Sequence, residues 1–225
     1  MAIVCVTIGL LLAGAGWADA DAATPTECGG TSIELLTAKE NPLLGAGTLV
    51  VIARGPIAPP LLEELNRLDD EIRAHERLIL DLDSPGGELS YAESVATFLK
   101  SIRADVDLTT YVRNGSRCLS SCVLAFLQGE ERIAGGASAW LFHGVCHAFA
   151  DLPLPRETKR FVSLMAEAGV SQEFLSLLDS HITAPGEFWV SGYELYNVYR
   201  AGIITELLDP WRPMNPIFTA PPTVQ

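Results

Sequence analysis

A chain of 225 residues with a net charge of −13 is long enough for one medium-sized domain with its own hydrophobic core and short appendages. Apolar residues make up 48% of it and charged residues 19%, which excludes a disordered chain or a coiled coil. The negative charge, with no basic stripe to offset it, excludes nucleic acid and disfavours anionic lipid surfaces, because phosphates would be repelled.

Residues 1–20 set the compartment. From Ala2 to Ala15 the chain is almost entirely apolar and small, and Ala18-Asp19-Ala20 offers a small-x-small cleavage site after Ala20. The apolar run is shorter than the ~20 residues of a membrane span. It therefore reads as a cleaved secretion signal, although no Lys or Arg precedes it, and the mature protein as periplasmic or secreted with no membrane span. Cleavage leaves Cys28, Cys118, Cys122 and Cys146, an even set that in an exported chain reads as disulfides. Cys118 and Cys122 lie close enough to bridge on a turn or helix start; Cys28 and Cys146 then remain. His143 and His147 flank Cys146 without a recognisable ligand spacing, so neither metal nor other cofactor is expected.

Residues 21–47 are rich in Ala, Thr, Pro and Gly, lack a clear period and read as an N-terminal extension. The continuous apolar run Thr48–Ala53 predicts a strand buried on both faces. Pro59 and Pro60 open a helix whose Leu61, Leu65, Leu68 and Ile72 recur at helical spacing up to His75. Leu78–Leu82 predicts a second buried strand, ended by Ser84-Pro85-Gly86-Gly87, and a helix follows over 88–102. Val106–Val112 predicts a third strand, Asn114-Gly115 a turn, and Ser120–Leu127 a buried helix. Strands at Glu131–Ala134 and Ala139–Phe142, the latter ending at His143, precede helices at 156–168 and 171–182. A last helix over Ser191–Ala201 leads to a strand at Ile203-Ile204, and residues 209–225 form a Pro-rich flexible tail. Strand and helix alternate at the spacing of parallel β-α-β units, so the expected class is a single α/β domain with a mainly parallel sheet.

Two loops at strand ends carry the candidate chemistry. In Asp83-Ser84-Pro85-Gly86-Gly87, the two glycines let the backbone turn sharply and aim N–H groups at a ligand; a tight strand-to-helix turn would use the same residues. In Gly115-Ser-Arg-Cys-Leu-Ser120-Ser121-Cys122, a serine stands between a strand and a buried helix. There Ser120 is a candidate nucleophile, and the Ser121 amide, with that of Gly87, could hold an oxyanion. Either serine could equally be a helix N-cap.

Taken together, strand–SPGG–helix, strand–Ser elbow–helix and strand–His resemble the Clp-protease/crotonase superfamily over about residues 48–208. The periplasmic Clp-like proteins resemble it most, through a Cys-x-Ser-x-Cys elbow matched by Cys118-Leu-Ser120-Ser-Cys122. The resemblance implies stacked β-α-β units, a serine peptidase with Ser120 as nucleophile and His143 as general base, and an oxyanion hole at Gly86–Gly87 and Ser121. It also implies a peptide or protein substrate and a homo-oligomer. The family's acid precedes an aromatic-x-Ser stretch, which Glu187-Phe-Trp-Val-Ser191 matches, so Glu187 stands in the aspartate's place. A membrane-associated branch uses a Ser–Lys dyad, for which Lys159 is the counterpart. The alternative function is a non-catalytic peptide-binding or assembly module of the same fold. Acyl-CoA chemistry of the crotonase type is remote, since export separates the chain from CoA thioesters. His75, His147 and His181 fall in no motif.

Overall fold

Nine strands, six α-helices and one π-helical turn make up the described part of the computed structural model, which covers residues 30–41, 44–146, 152–182 and 186–208. The expected signal, Cys28, His147 and the Pro-rich tail lie outside those residues.

The large sheet has the order β1-β2-β3-β4-β6-β9. Its strands are β1 Ser32–Leu36, β2 Thr48–Arg54, β3 Arg77–Asp83, β4 Asp107–Val112, β6 Glu131–Gly135 and β9 Glu206–Leu208. All neighbours run parallel except β1, which pairs antiparallel with β2, Ser32 opposite Arg54. The apolar runs do become strands buried on both faces: every residue of β2 and β3 between their end residues is buried. One face (Leu49, Val51, Leu78, Leu80, Leu82, Leu108) packs on the helices. The other (Val50, Ile52, Ile79, Tyr111) is closed by Leu44 and Leu208, with Leu36 and Ala38 beside them.

The helices are α1 Pro59–Arg67, α2 Asp69–Arg73, α3 Leu89–Ile102, α4 Cys122–Phe126, α5 Pro155–Glu167 and α6 Gln172–Ile182. A second sheet, β5 Arg117–Leu119, β7 Ala139–His143 and β8 Glu187–Ser191, stands beside the first in the order β5-β7-β8. β5 also meets the end of β3 through a parallel bridge between Ser84 and Cys118.

Five elements differ from the sequence expectation. Ser32–Leu36, inside the stretch read as an extension, forms the antiparallel edge strand β1. The single helix expected up to His75 breaks at Leu68 (φ −90°, ψ 1°). Asp69, Asp70 and Glu71 then fill the first turn of α2, where the partial positive charge of a new helix start favours them. Apolar spacing ran through the break because Leu65, Leu68 and Ile72 all face one core. The helix expected over Ser120–Leu127 contracts to Cys122–Phe126, since Arg117–Leu119 and Ser120 are used as strand and corner. Glu187–Ser191 is a strand, and the helix after it is a π-helical turn at Glu194–Val198. Finally, Ile203 and Ile204 are buried, but the strand pairing goes to Glu206–Leu208.

Candidate active site

The loop after β3 is stitched on both sides. Gly55 N donates to Asp83 O at 3.0 Å, Ile57 N to Gly86 O at 2.8 Å, Ser84 N to Arg117 O at 2.8 Å, and Leu119 N to Ser84 O at 3.0 Å. The buried Ser84 hydroxyl accepts from Gly86 N at 3.1 Å. Gly86 takes φ +90°, and a Cβ there would sit 2.6 Å from Leu119 O and 2.9 Å from Ser120 Cβ. At Gly87 a Cβ would lie 2.0 Å from Ile57 O. Both glycines are therefore demanded by close approach, the first of them directly against the Ser120 corner.

Ser120 has φ +53°, a left-handed conformation that costs an L-residue roughly 1–2 kcal/mol. Its neighbours hold it there. Ser120 N donates to Leu141 O at 2.7 Å, and its carbonyl accepts from Val123 N at 3.1 Å. Cys118 and Cys122, on either side of it, are joined by a disulfide with their Cα atoms 5.3 Å apart, and both are fully buried. The corner thus turns the half-buried serine outward while its flanks stay in the core.

His143 ends β7. Trp140 and Phe142, fully buried, occupy one face of that strand, and Phe126 packs edge-on against Trp140 with ring centroids 4.9 Å apart. Alternation along the strand sends Leu141 and His143 to the opposite face. His143 Nδ1 lies 2.8 Å from Gly144 O. A carbonyl can only accept, so Nδ1 carries the hydrogen and Nε2 is left with its lone pair.

Ser120, Ser121, Gly87 and His143 all line one cleft of about 660 Å³. The amides of Gly87 and Ser121 donate to no group among the described residues, and neither does the Ser120 hydroxyl. Ser121 spends its own hydroxyl on Gly87 O at 3.0 Å, tying the two corners together. No hydrogen bond joins Ser120 to His143; such bonds are often long before substrate arrives.

The other candidates lie outside this cleft. Glu187 is the cross-strand partner of His143, but its Oε2 accepts from Trp189 Nε1 at 2.8 Å. Lys159 is exposed on α5 and does not line the cleft. The free thiol of Cys146 does line it, as do Glu88, Leu154 just before α5, and Glu157 and Phe161 within it. Sequence reading had no signal for these, because only the tertiary fold brings α5 opposite the start of α3. Ile57, whose carbonyl walls in Gly87, carries no sequence signal either. His75 is half-buried and His181 exposed, and neither lines the cleft.

No family model matches the chain, and no curated protein matches it by sequence. Solved structures do. ClpP1 from Listeria monocytogenes superposes with a TM-score of 0.57 at 18% identity, covering 71% of this chain and 91% of that one. A point mutant of the same protein gives 0.56 at the same identity and coverage. A mutant of the 1510-N membrane-bound stomatin-specific protease gives 0.54 at 15% identity, over 70% of this chain and 77% of that one. At such identities a likeness speaks for architecture alone, and the mainly parallel sheet with its helices is the Clp-protease-like fold.

Proposed function

We propose that the chain is a serine-type peptidase acting in the cell envelope or outside the cell. One observation carries this reading: the Gly86–Gly87 corner abuts the Ser120 elbow, with two uncommitted amides and His143 in the same cleft. Ser120 Oγ attacks the peptide carbonyl while His143 Nε2 takes its proton. The carbonyl oxygen, now negative, accepts from the N–H groups of Gly87 and Ser121. His143 then hands the proton to the departing amine, and water, activated by the same imidazole, releases the acyl group. The Gly144 carbonyl fixes the imidazole tautomer, the task a carboxylate performs elsewhere. Glu187, the cross-strand partner of His143, has its Oε2 bonded to Trp189 Nε1 instead. The exposed position of Lys159 weighs for His143 as the base.

Secretion is supported by the signal-like N-terminus and by the disulfide, which persists in oxidising compartments. Self-association is supported by the apolar surface of Trp189, Tyr193 and Val198, all more than half exposed, and light scattering on the purified protein tests it. For the hydrolytic step, wild type, Ser120→Ala and His143→Ala are compared on an unfolded protein substrate. Cleavage is expected from the wild type, with a loss of at least about 10³-fold in each variant. Equal rates in all three overturn the assignment. A second reading, a peptide-binding module without turnover, draws on the absent Ser120–His143 hydrogen bond. It predicts binding of peptides by the wild type with no cleavage.

A further inference from the structure

The cleft beside Ser120 is chemically uneven. Leu89 at the start of α3, with Leu154 and Phe161 from the α5 side, gives it an apolar wall. Glu88 and Glu157 line the same concavity, and the described lining contains neither Lys nor Arg. Both glutamates are exposed, and neither belongs to an ion pair among the described residues. Among the described residues Glu88 accepts from the neutral Ser90 hydroxyl, at 2.6 Å, and from no cation. None of the cations close in sequence pairs with either glutamate, although Arg160 lies near enough to Glu157 to feel its charge. Arg160 Nη2 donates to Glu93 Oε2 at 2.6 Å, clamping α5 to α3, while Arg156 and Lys159 are exposed outside the lining. A glutamate just before a helix is common and says nothing of a ligand by itself. The telling feature is the combination: an apolar wall and two carboxylates outside any ion pair among the described residues, in the concavity that also holds the Ser120 hydroxyl.

We propose that this cleft selects peptide segments carrying Arg or Lys beside the scissile bond. The proposal takes its chemistry, though not its binding preference, from the peptidase reading. The aliphatic stem of the side chain lies along Leu89, Leu154 and Phe161, and its cationic head reaches Glu88 or Glu157. An acidic residue at that place meets two like charges and is rejected. The net charge of −13 draws cationic segments toward the mouth.

The test uses Ser120→Ala protein, so that binding is read without cleavage. Fluorescent peptides matched except at one residue (arginine, its neutral isostere citrulline, or glutamate) are titrated by anisotropy. The arginine peptide is expected to bind about tenfold more tightly than the citrulline peptide, a margin modest because both carboxylates are exposed. Adding Glu88→Gln and Glu157→Gln to the same background should erase the margin, and raised salt should shrink it. Equal affinities for arginine and citrulline, no binding of either, or a margin that survives the glutamine variants all overturn the proposal. Cleavage of the citrulline peptide by wild type as fast as the arginine peptide would sink the preference while leaving the peptidase reading standing.

Discussion

Replacing Gly86 by alanine probes the corner that brings the two loops together. The substitution has two costs. A left-handed φ of +90° penalises any Cβ by roughly 1–2 kcal/mol. The new methyl group would also meet Leu119 O at 2.6 Å and Ser120 Cβ at 2.9 Å, and relieving such overpacking costs roughly 1–3 kcal/mol more. The sum is about 2–5 kcal/mol, which in a domain of this size lowers the melting temperature by roughly 5–15 °C. Gly115 supplies the control. It has φ +81° with nothing within 4 Å of its would-be Cβ, so Gly115→Ala carries the first cost alone, about 1–2 kcal/mol. The assay is urea unfolding of both variants, together with peptide hydrolysis at a temperature where both stay folded. Gly86→Ala should lose more stability than Gly115→Ala and, because the clash bears on Ser120, most of its activity, while Gly115→Ala keeps its activity. Equal stability losses, or full activity in Gly86→Ala, would refute the reasoning.

Two further substitutions test what supports the site. The Cys118–Cys122 bridge closes a loop of five residues, so Cys118→Ala/Cys122→Ala should cost about 2 kcal/mol in chain entropy; kcat should fall more than KM rises, and an unchanged kcat would show that the bridge does not position Ser120. Asp81, 1% exposed and paired with Arg113, has its pKa raised above the ordinary 3.8 because burial outweighs the attraction of Arg113. The folded chain therefore holds that proton to higher pH than the unfolded one, and the stability contributed is present below pH 3.8 and lost as pH rises through the raised value. Asp81→Asn lacks this loss, so its stability relative to wild type should climb with pH across that window in urea titrations; a constant difference would contradict the shift.

Much of the fold was readable because it rests on local demands. Continuous apolar runs such as Leu78–Leu82 have few structural solutions, and Ser84-Pro85-Gly86-Gly87 can hardly be anything but a sharp corner. The same holds for Ser120, where two cysteines four residues apart point to a constrained turn, and for His143 at the end of a strand. Elements decided by partners far along the chain were not readable. The three residues of β5 carry no period, and Arg117–Leu119 becomes a strand only because Ser84 and β7 lie on either side. The alternation of Glu187–Ser191 was masked by its aromatic-x-Ser motif, and β1 by its surroundings. In the site, the register of β7 against β8 does bring Glu187 opposite His143. Glu187 Oε2 then accepts from Trp189 Nε1, and His143 Nδ1 donates to Gly144 O, both partners being nearby in sequence.

The proposed mechanism makes Ser120 an activated nucleophile facing two amides that donate to no group among the described residues. Reacting the oxidised protein with a fluorophosphonate and mapping the adduct by peptide mass spectrometry tests it most directly. A single adduct on Ser120 is expected, strongly diminished in His143→Ala. Protein that stays unmodified under conditions that label a known serine hydrolase, or that carries the adduct on another residue such as Ser121, would contradict it.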